Sequence, residues 1–153
     1  MARLKLNLKG FDKMLEQLQA AGADVDKAAQ RAITASAKIV ENELRSEATA
    51  KGVPSDITAE ITTRTSQSSD QYEAKVGWKL GSYDPRKPSA GYKAIFLNYG
   101  TVRRVTKKGA SRGEIPKRTE AQQFIYMAKK KARPKVKKAQ QTIMERVMRD
   151  LEK

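Results

Sequence analysis

Leu4, Leu6 and Leu8 alternate with Arg3, Lys5 and Asn7, the period of two that a half-buried strand requires, so the chain is expected to open on a short edge strand. From Phe11 the period changes. Phe11, Met14, Leu15 and Leu18 recur at helical spacing, and Gly22 supplies a stop signal. A longer second helix is predicted next, because Asp24 stands where a cap is needed and Val25, Ala28, Ala29, Ala32, Ile33, Ser36, Ile39, Val40 and Leu44 form one apolar face ending near Gly52 and Pro54. Its alanines permit close approach of a sheet or another helix.

The period of two then returns. Ile57, Ala59, Ile61 and Thr63 alternate with Thr58, Glu60, Thr62 and Arg64, and after a Ser/Asp-rich turn Tyr72, Ala74, Val76, Trp78 and Leu80 alternate with Glu73, Lys75, Gly77 and Lys79. This predicts an antiparallel hairpin with one wet face. The more continuously apolar run from Tyr92 to Gly100 reads as a third, more buried strand. From residue 101 to 118 hydrophobic periodicity disappears, and a mobile basic loop is expected there. The final segment opens with Thr119 and Gln122 at capping-box spacing and carries Phe124, Ile125, Ala128, Ala132, Val136, Ala139, Ile143, Val147 and Leu151 at helical intervals. Pro134 interrupts that pattern, so a kink or two abutting helices are expected around it. The fold class is therefore α+β in one domain spanning residues 1–153. It comprises a short N-terminal strand, two N-terminal helices, an antiparallel sheet of three to four strands packed on the long helix, the basic loop and a closing helix.

Charge changes this picture, because it is unevenly placed. The formal net charge of +15 arises entirely after residue 85: residues 1–85 hold 12 Lys/Arg against 12 Asp/Glu, and residues 86–153 hold 20 against 5. Two clusters dominate the excess. Arg103, Arg104, Lys107, Lys108, Arg112, Lys117 and Arg118 fall in the expected loop, and Lys129, Lys130, Lys131, Arg133, Lys135, Lys137 and Lys138 fall on the closing helix with no acid among them. Such a field attracts nucleic acid or an acidic protein face. No zinc finger, aromatic RNP strand or GXXG loop accompanies it, so any contact with nucleic acid is expected to be with phosphate.

Chemistry is narrowed further by what the chain lacks. With no cysteine and no histidine, disulfide scaffolds, thiolate zinc sites, cysteine nucleophiles and imidazole mechanisms are excluded. No phosphate-binding glycine loop or metal-ligand spacing occurs, and the carboxylates fall on capping or solvated helix positions, so the protein is expected to bind rather than to catalyse, without cofactor or small-molecule ligand. Its first ten residues lack an apolar secretory core, and no run approaches the length of a membrane span, so it is expected to remain where it is made and to meet no membrane.

The run from Tyr92 through Asn98, Tyr99, Gly100 and Thr101, followed by a basic glycine-containing loop and then Phe124 to Ala128 on a helix, resembles the tail-completion or neck protein family of tailed bacteriophages. That family's usual acidic residue before the aromatic-Gly-Thr motif is Asn98 here, and its usual Arg-Pro-Phe entry to the last helix is replaced by Ala121, Gln122, Gln123 and Phe124. The resemblance implies a virion structural protein made in the cytoplasm of a bacterial host. It implies assembly as a homo-oligomeric ring of six copies at the head–tail interface, between the capsid connector or head-completion proteins and the tail tube or tail terminator. Genomic double-stranded DNA would pass through without sequence readout. Gly100 and Thr101, with the loop cations, are the expected partner-docking element, and the lysines of the closing helix the expected contact with DNA or an acidic surface. A free-standing basic nucleic-acid-binding protein, acting through sequence-independent phosphate contacts, is the alternative from another class.

Overall fold

The structure is a computed structural model that describes residue 16 and residues 25–68, 71–81, 84, 86–100 and 121–151. Its elements run α1 (Val25–Ala50), α2 (Ser55–Ala59), β1 (Ile61–Ser68), β2 (Gln71–Trp78), α3 (Ala90–Tyr99) and α4 (Phe124–Leu151). The expected N-terminal strand and nearly all of the expected first helix lie outside the described residues; Glu16 alone is described there, in helical conformation. The class is α+β, with a two-stranded antiparallel sheet and a long C-terminal helix.

α1 and α4 form the frame. Along α1, Ala28, Ala32, Ser36, Val40, Leu44 and Ala48 are buried at intervals of four, and along α4 the same interval buries Phe124, Ala128, Ala132, Val136, Gln140 and Met144. Rows spaced by four residues are the ridges that seat into a facing helix's grooves, and small residues in them let the backbones approach. The pair is antiparallel: Lys131 bonds Glu47, Lys135 bonds Glu43, and at the other end Ala28 and Ala32 cluster with Met144. α4 runs through Pro134 as one helix, not as two abutting ones. Pro134 is exposed, so the Lys130 carbonyl that loses its N–H partner does so on the wet side.

The end of α1 falls where glycine and proline predict it. Gly52 takes φ 71°, its N–H donates to the Thr49 carbonyl at 2.9 Å, and the Val53 N–H reaches back to the Ala48 carbonyl at 2.9 Å. This is the left-handed cap that only glycine adopts without strain. Pro54 then stands at the start of α2. Here the expected strand is corrected: Ile57 and Ala59 belong to the short helix α2, and β1 begins only at Ile61. One helical turn places Ile57 and Ile61 on the same buried side just as strand alternation would, so the two conformations give one pattern over five residues.

β1 and β2 pair antiparallel with Ile61 opposite Trp78 and Thr65 opposite Ala74. Ala74, Val76 and Trp78 are buried against α1, while Thr62, Arg64 and Ser66 stay in solvent, as the alternation predicts. The sheet stops at two strands among the described residues. The run expected as a third strand is helix α3, whose buried residues are Gly91, Ala94 and Asn98. Their spacing of three and four is helical, and their small size permits close packing against the end of β2. An added Cβ on Gly91 would lie 2.8 Å from Leu80 Cδ2 and 3.0 Å from the Lys79 carbonyl oxygen, so α3 depends on a residue without a side chain there.

Candidate docking surface

The entry to α4 is built by α3. Gln123 takes φ 51°, an unusual left-handed turn for a residue with a side chain, and the helix starts at Phe124. Thr119 lies outside the described residues and Gln122 precedes the helix, so Gln122 does not occupy the third helical position that a capping box requires. The cap is supplied from elsewhere in the chain. The Ile125 N–H donates to Asn98 Oδ1 at 2.9 Å, while the Gln122 and Gln123 N–H groups donate to the Leu97 and Asn98 carbonyls at 3.1 and 3.0 Å. Asn98 is 2% exposed, and its amide satisfies a helix N–H that otherwise has no partner within the helix. Asn98→Ala is expected to cost about 1–2 kcal/mol in urea unfolding. Asn98→Asp should retain most of that stability at neutral pH, since a carboxylate accepts the same bond and favours the helix N-terminus.

Immediately after Asn98 and Tyr99, Gly100 takes φ 74° and ψ 176°, a region open essentially to glycine alone. Glycine's freedom is therefore used at the end of helix α3, in place of the expected strand end. Thr101, Arg103, Arg104, Lys107, Lys108, Arg112, Lys117 and Arg118, the rest of the expected docking loop, lie outside the described residues.

The seven clustered cations near the start of α4, Lys129 to Lys138, are all exposed, but they do not form one surface. Lys131 and Lys135 reach across to Glu47 and Glu43 of α1, so a cluster with no acid in its own sequence finds two acids in space. Glu47 is 6% exposed, and its bond holds the Lys131 ammonium above the usual lysine range. Because that folded pKa is raised, the bond's contribution is fully present at neutral pH and is lost only as pH climbs through the raised value. Lys129, Lys130, Arg133, Lys137 and Lys138 have no acidic partner among the described residues. Sequence could not sort the cluster, since the sorting depends on which α1 residue lies opposite.

A groove of about 760 Å³ lies between the remaining lengths of α1 and α4, with Arg31, Lys38 and Arg146 around Ala35, Ile143 and Val147. These three cations were not singled out by the sequence patterns, because they come from separate turns of two helices. Among the described residues no three His, Cys, Asp or Glu side chains come together as metal ligands, and no helix is long and apolar enough to cross a membrane.

Residues 12–100 match the HK97-gp10-like family, described as "Bacteriophage HK97-gp10, putative tail-component". The chain belongs to this family. Its resemblance to phage tail-completion and neck proteins is thereby supported, and the protein is a structural phage tail component, hence part of the virion. The match covers α1 to α3 and ends at Gly100, so both basic clusters lie beyond it. No curated protein and no solved structure matches the chain.

Proposed function

We propose that this tail component works at the head–tail joint, in tail completion or in the neck, as a ring of six copies between the capsid connector and the tail tube. Genomic DNA passes through the ring, and the protein acts by binding, without catalysis. Membership of the tail-component family carries this reading. It is supported by Lys129 and Lys138, exposed on α4 with no acidic partner among the described residues, which suit a passage for DNA that must attract phosphate without reading bases. Neighbouring head-completion and tail-terminator proteins are the expected partners on the two sides.

Purified protein mixed with its connector and tail-tube proteins tests the ring by negative-stain microscopy and mass photometry. Rings or tube-capping densities support it; beads along DNA and no joined particles would instead mark a free-standing nucleic-acid binder. The DNA part has its own measurement. Replacing Lys129 and Lys138 by Gln removes up to two phosphate contacts, so the slope of log K against log salt on duplex DNA should shrink by up to about 1.8. Replacing Lys131 and Lys135 should instead lower the thermal midpoint and leave the slope nearly unchanged, because their ammonium groups are already bonded to Glu47 and Glu43. Equal slope changes in the two variants would contradict the division of the cluster.

A further inference from the structure

Two large apolar side chains stand in solvent among the described residues: Tyr99 is 66% exposed and Tyr126 62% exposed. They flank one rigid joint. Tyr99 follows Asn98, and Tyr126 follows Ile125, whose N–H is bonded to the Asn98 side chain at 2.9 Å. Behind them Phe124 is fully buried and meets the Trp78 ring edge-on at 6.0 Å, so the backbone bearing both tyrosines is anchored in the core.

The same face of α4 continues in charge. At 100° per residue, Tyr126, Lys130, Arg133 and Lys137 fall within roughly 60° of one another, on the side away from Phe124, Ala128, Ala132 and Val136. All four are exposed, and the three cations span a rise of roughly 10 Å without an acidic partner among the described residues. Lys131 and Lys135, which do have partners, lie off this strip. The result is a narrow band on α4 that begins with the Tyr126 ring and continues with Lys, Arg and Lys, while Tyr99 stands exposed on α3 at the joint where α4 begins.

Duplex phosphate uses the cations and can accept from a tyrosine hydroxyl, but it leaves the ring faces uncovered, since bases in a duplex are stacked away from them. Protein surfaces use both. Tyr and Arg are the side chains most often found as anchors at protein interfaces, where a rigid ring covers apolar ground and a guanidinium pairs with carboxylate. We propose that the band Tyr126, Lys130, Arg133 and Lys137, with Tyr99 at the adjoining joint, docks onto an acidic protein surface of a neighbouring virion component, with the rings on its apolar ground and the cations on its carboxylates. This rests on the reading of the protein as a joint component and names the partner of one of its faces.

The test uses the co-assembly with connector and tail-tube proteins, together with duplex-DNA binding at stepped salt. Tyr99→Ser/Tyr126→Ser keeps every charge, and Lys130→Gln/Arg133→Gln/Lys137→Gln keeps both rings; all the replaced side chains are exposed, and Trp78 fluorescence checks that each variant is folded. Both variants are expected to lower the yield of joined particles at least about tenfold, while the tyrosine variant binds DNA with unchanged affinity and salt slope. Wild-type joining by the tyrosine variant overturns the proposal, as does a parallel tenfold loss of DNA affinity in that variant, which would place nucleic acid on the band. If the wild-type protein joins neither head nor tail component, the joint reading itself falls, and the acidic neighbour with it.

Discussion

Trp78→Ala is expected to lower the unfolding free energy by about 3–5 kcal/mol, the range for truncating a large buried aromatic. Trp78 is 7% exposed, its indole N–H donates to the Ile57 carbonyl at 2.6 Å, and its ring stands 77° to that of Phe124 with centroids 6.0 Å apart. It therefore joins β2, α2 and the entry to α4, so its loss opens a cavity at the meeting point of three elements. Trp78→Phe separates the contributions. It keeps most of the ring but leaves the Ile57 carbonyl without its donor, and should cost about 1–3 kcal/mol. Urea unfolding followed by circular dichroism reads both, and a Trp78→Ala midpoint near that of wild type would mean that this ring is not in the core.

Arg45→Met should cost about 2–3 kcal/mol, because one guanidinium holds three parts of the chain. Its Nε and Nη2 donate to Glu41 Oε1 at 3.0 and 2.9 Å, while Nη1 and Nη2 donate to the Thr58 and Ile61 carbonyls at 2.6 and 2.7 Å. Thr63 Oγ1 donates to the other Glu41 oxygen at 2.8 Å. The network clamps the end of α2 and the start of β1 onto α1. Burial pushes the Glu41 carboxyl up, but the Thr63 hydroxyl, the Arg45 guanidinium and the charge of Lys38 outweigh it, and the pKa lies below the usual carboxylate value. A depressed folded pKa contributes stability that is present above the unfolded carboxylate pKa and is lost as pH falls through the folded one. Glu41→Gln should therefore flatten the acid limb of the stability curve. An unchanged acid limb would show that Glu41 titrates alike in the folded and unfolded chain.

The elements with long, consistent periods were legible in the sequence. α1 shows its buried rows over 26 residues, and β2 keeps a strict alternation from Tyr72 to Trp78, so packing against one face leaves a clear record. Short apolar runs leave a poorer one. From Tyr92 to Tyr99 nearly every residue is apolar, which reads as a buried strand, yet the side that meets the protein is marked by small residues: Gly91, Ala94 and Asn98. Size rather than hydrophobicity carried the signal there. The candidate site divides the same way. That α4 is cationic was plain from the sequence, but which lysines face out depended on the register with α1, and the role of Asn98 as a cap for a helix 26 positions later has no local signature.

The joint between α3 and α4 has a further consequence for how this protein can change over generations. Gly100 and Ala121 bracket twenty residues, and the bonds from Gln122, Gln123 and Ile125 to Leu97 and Asn98 hold the two flanks of that stretch together. Closing a loop costs an entropy that grows only with the logarithm of its length, so doubling such an insert adds about 0.6 kcal/mol. A change in the length of that connection therefore costs the clasp between the two flanks little. A lineage meeting a new tail partner could therefore change the length of that connection while the helices, the hairpin and the Asn98 clasp stay as they are.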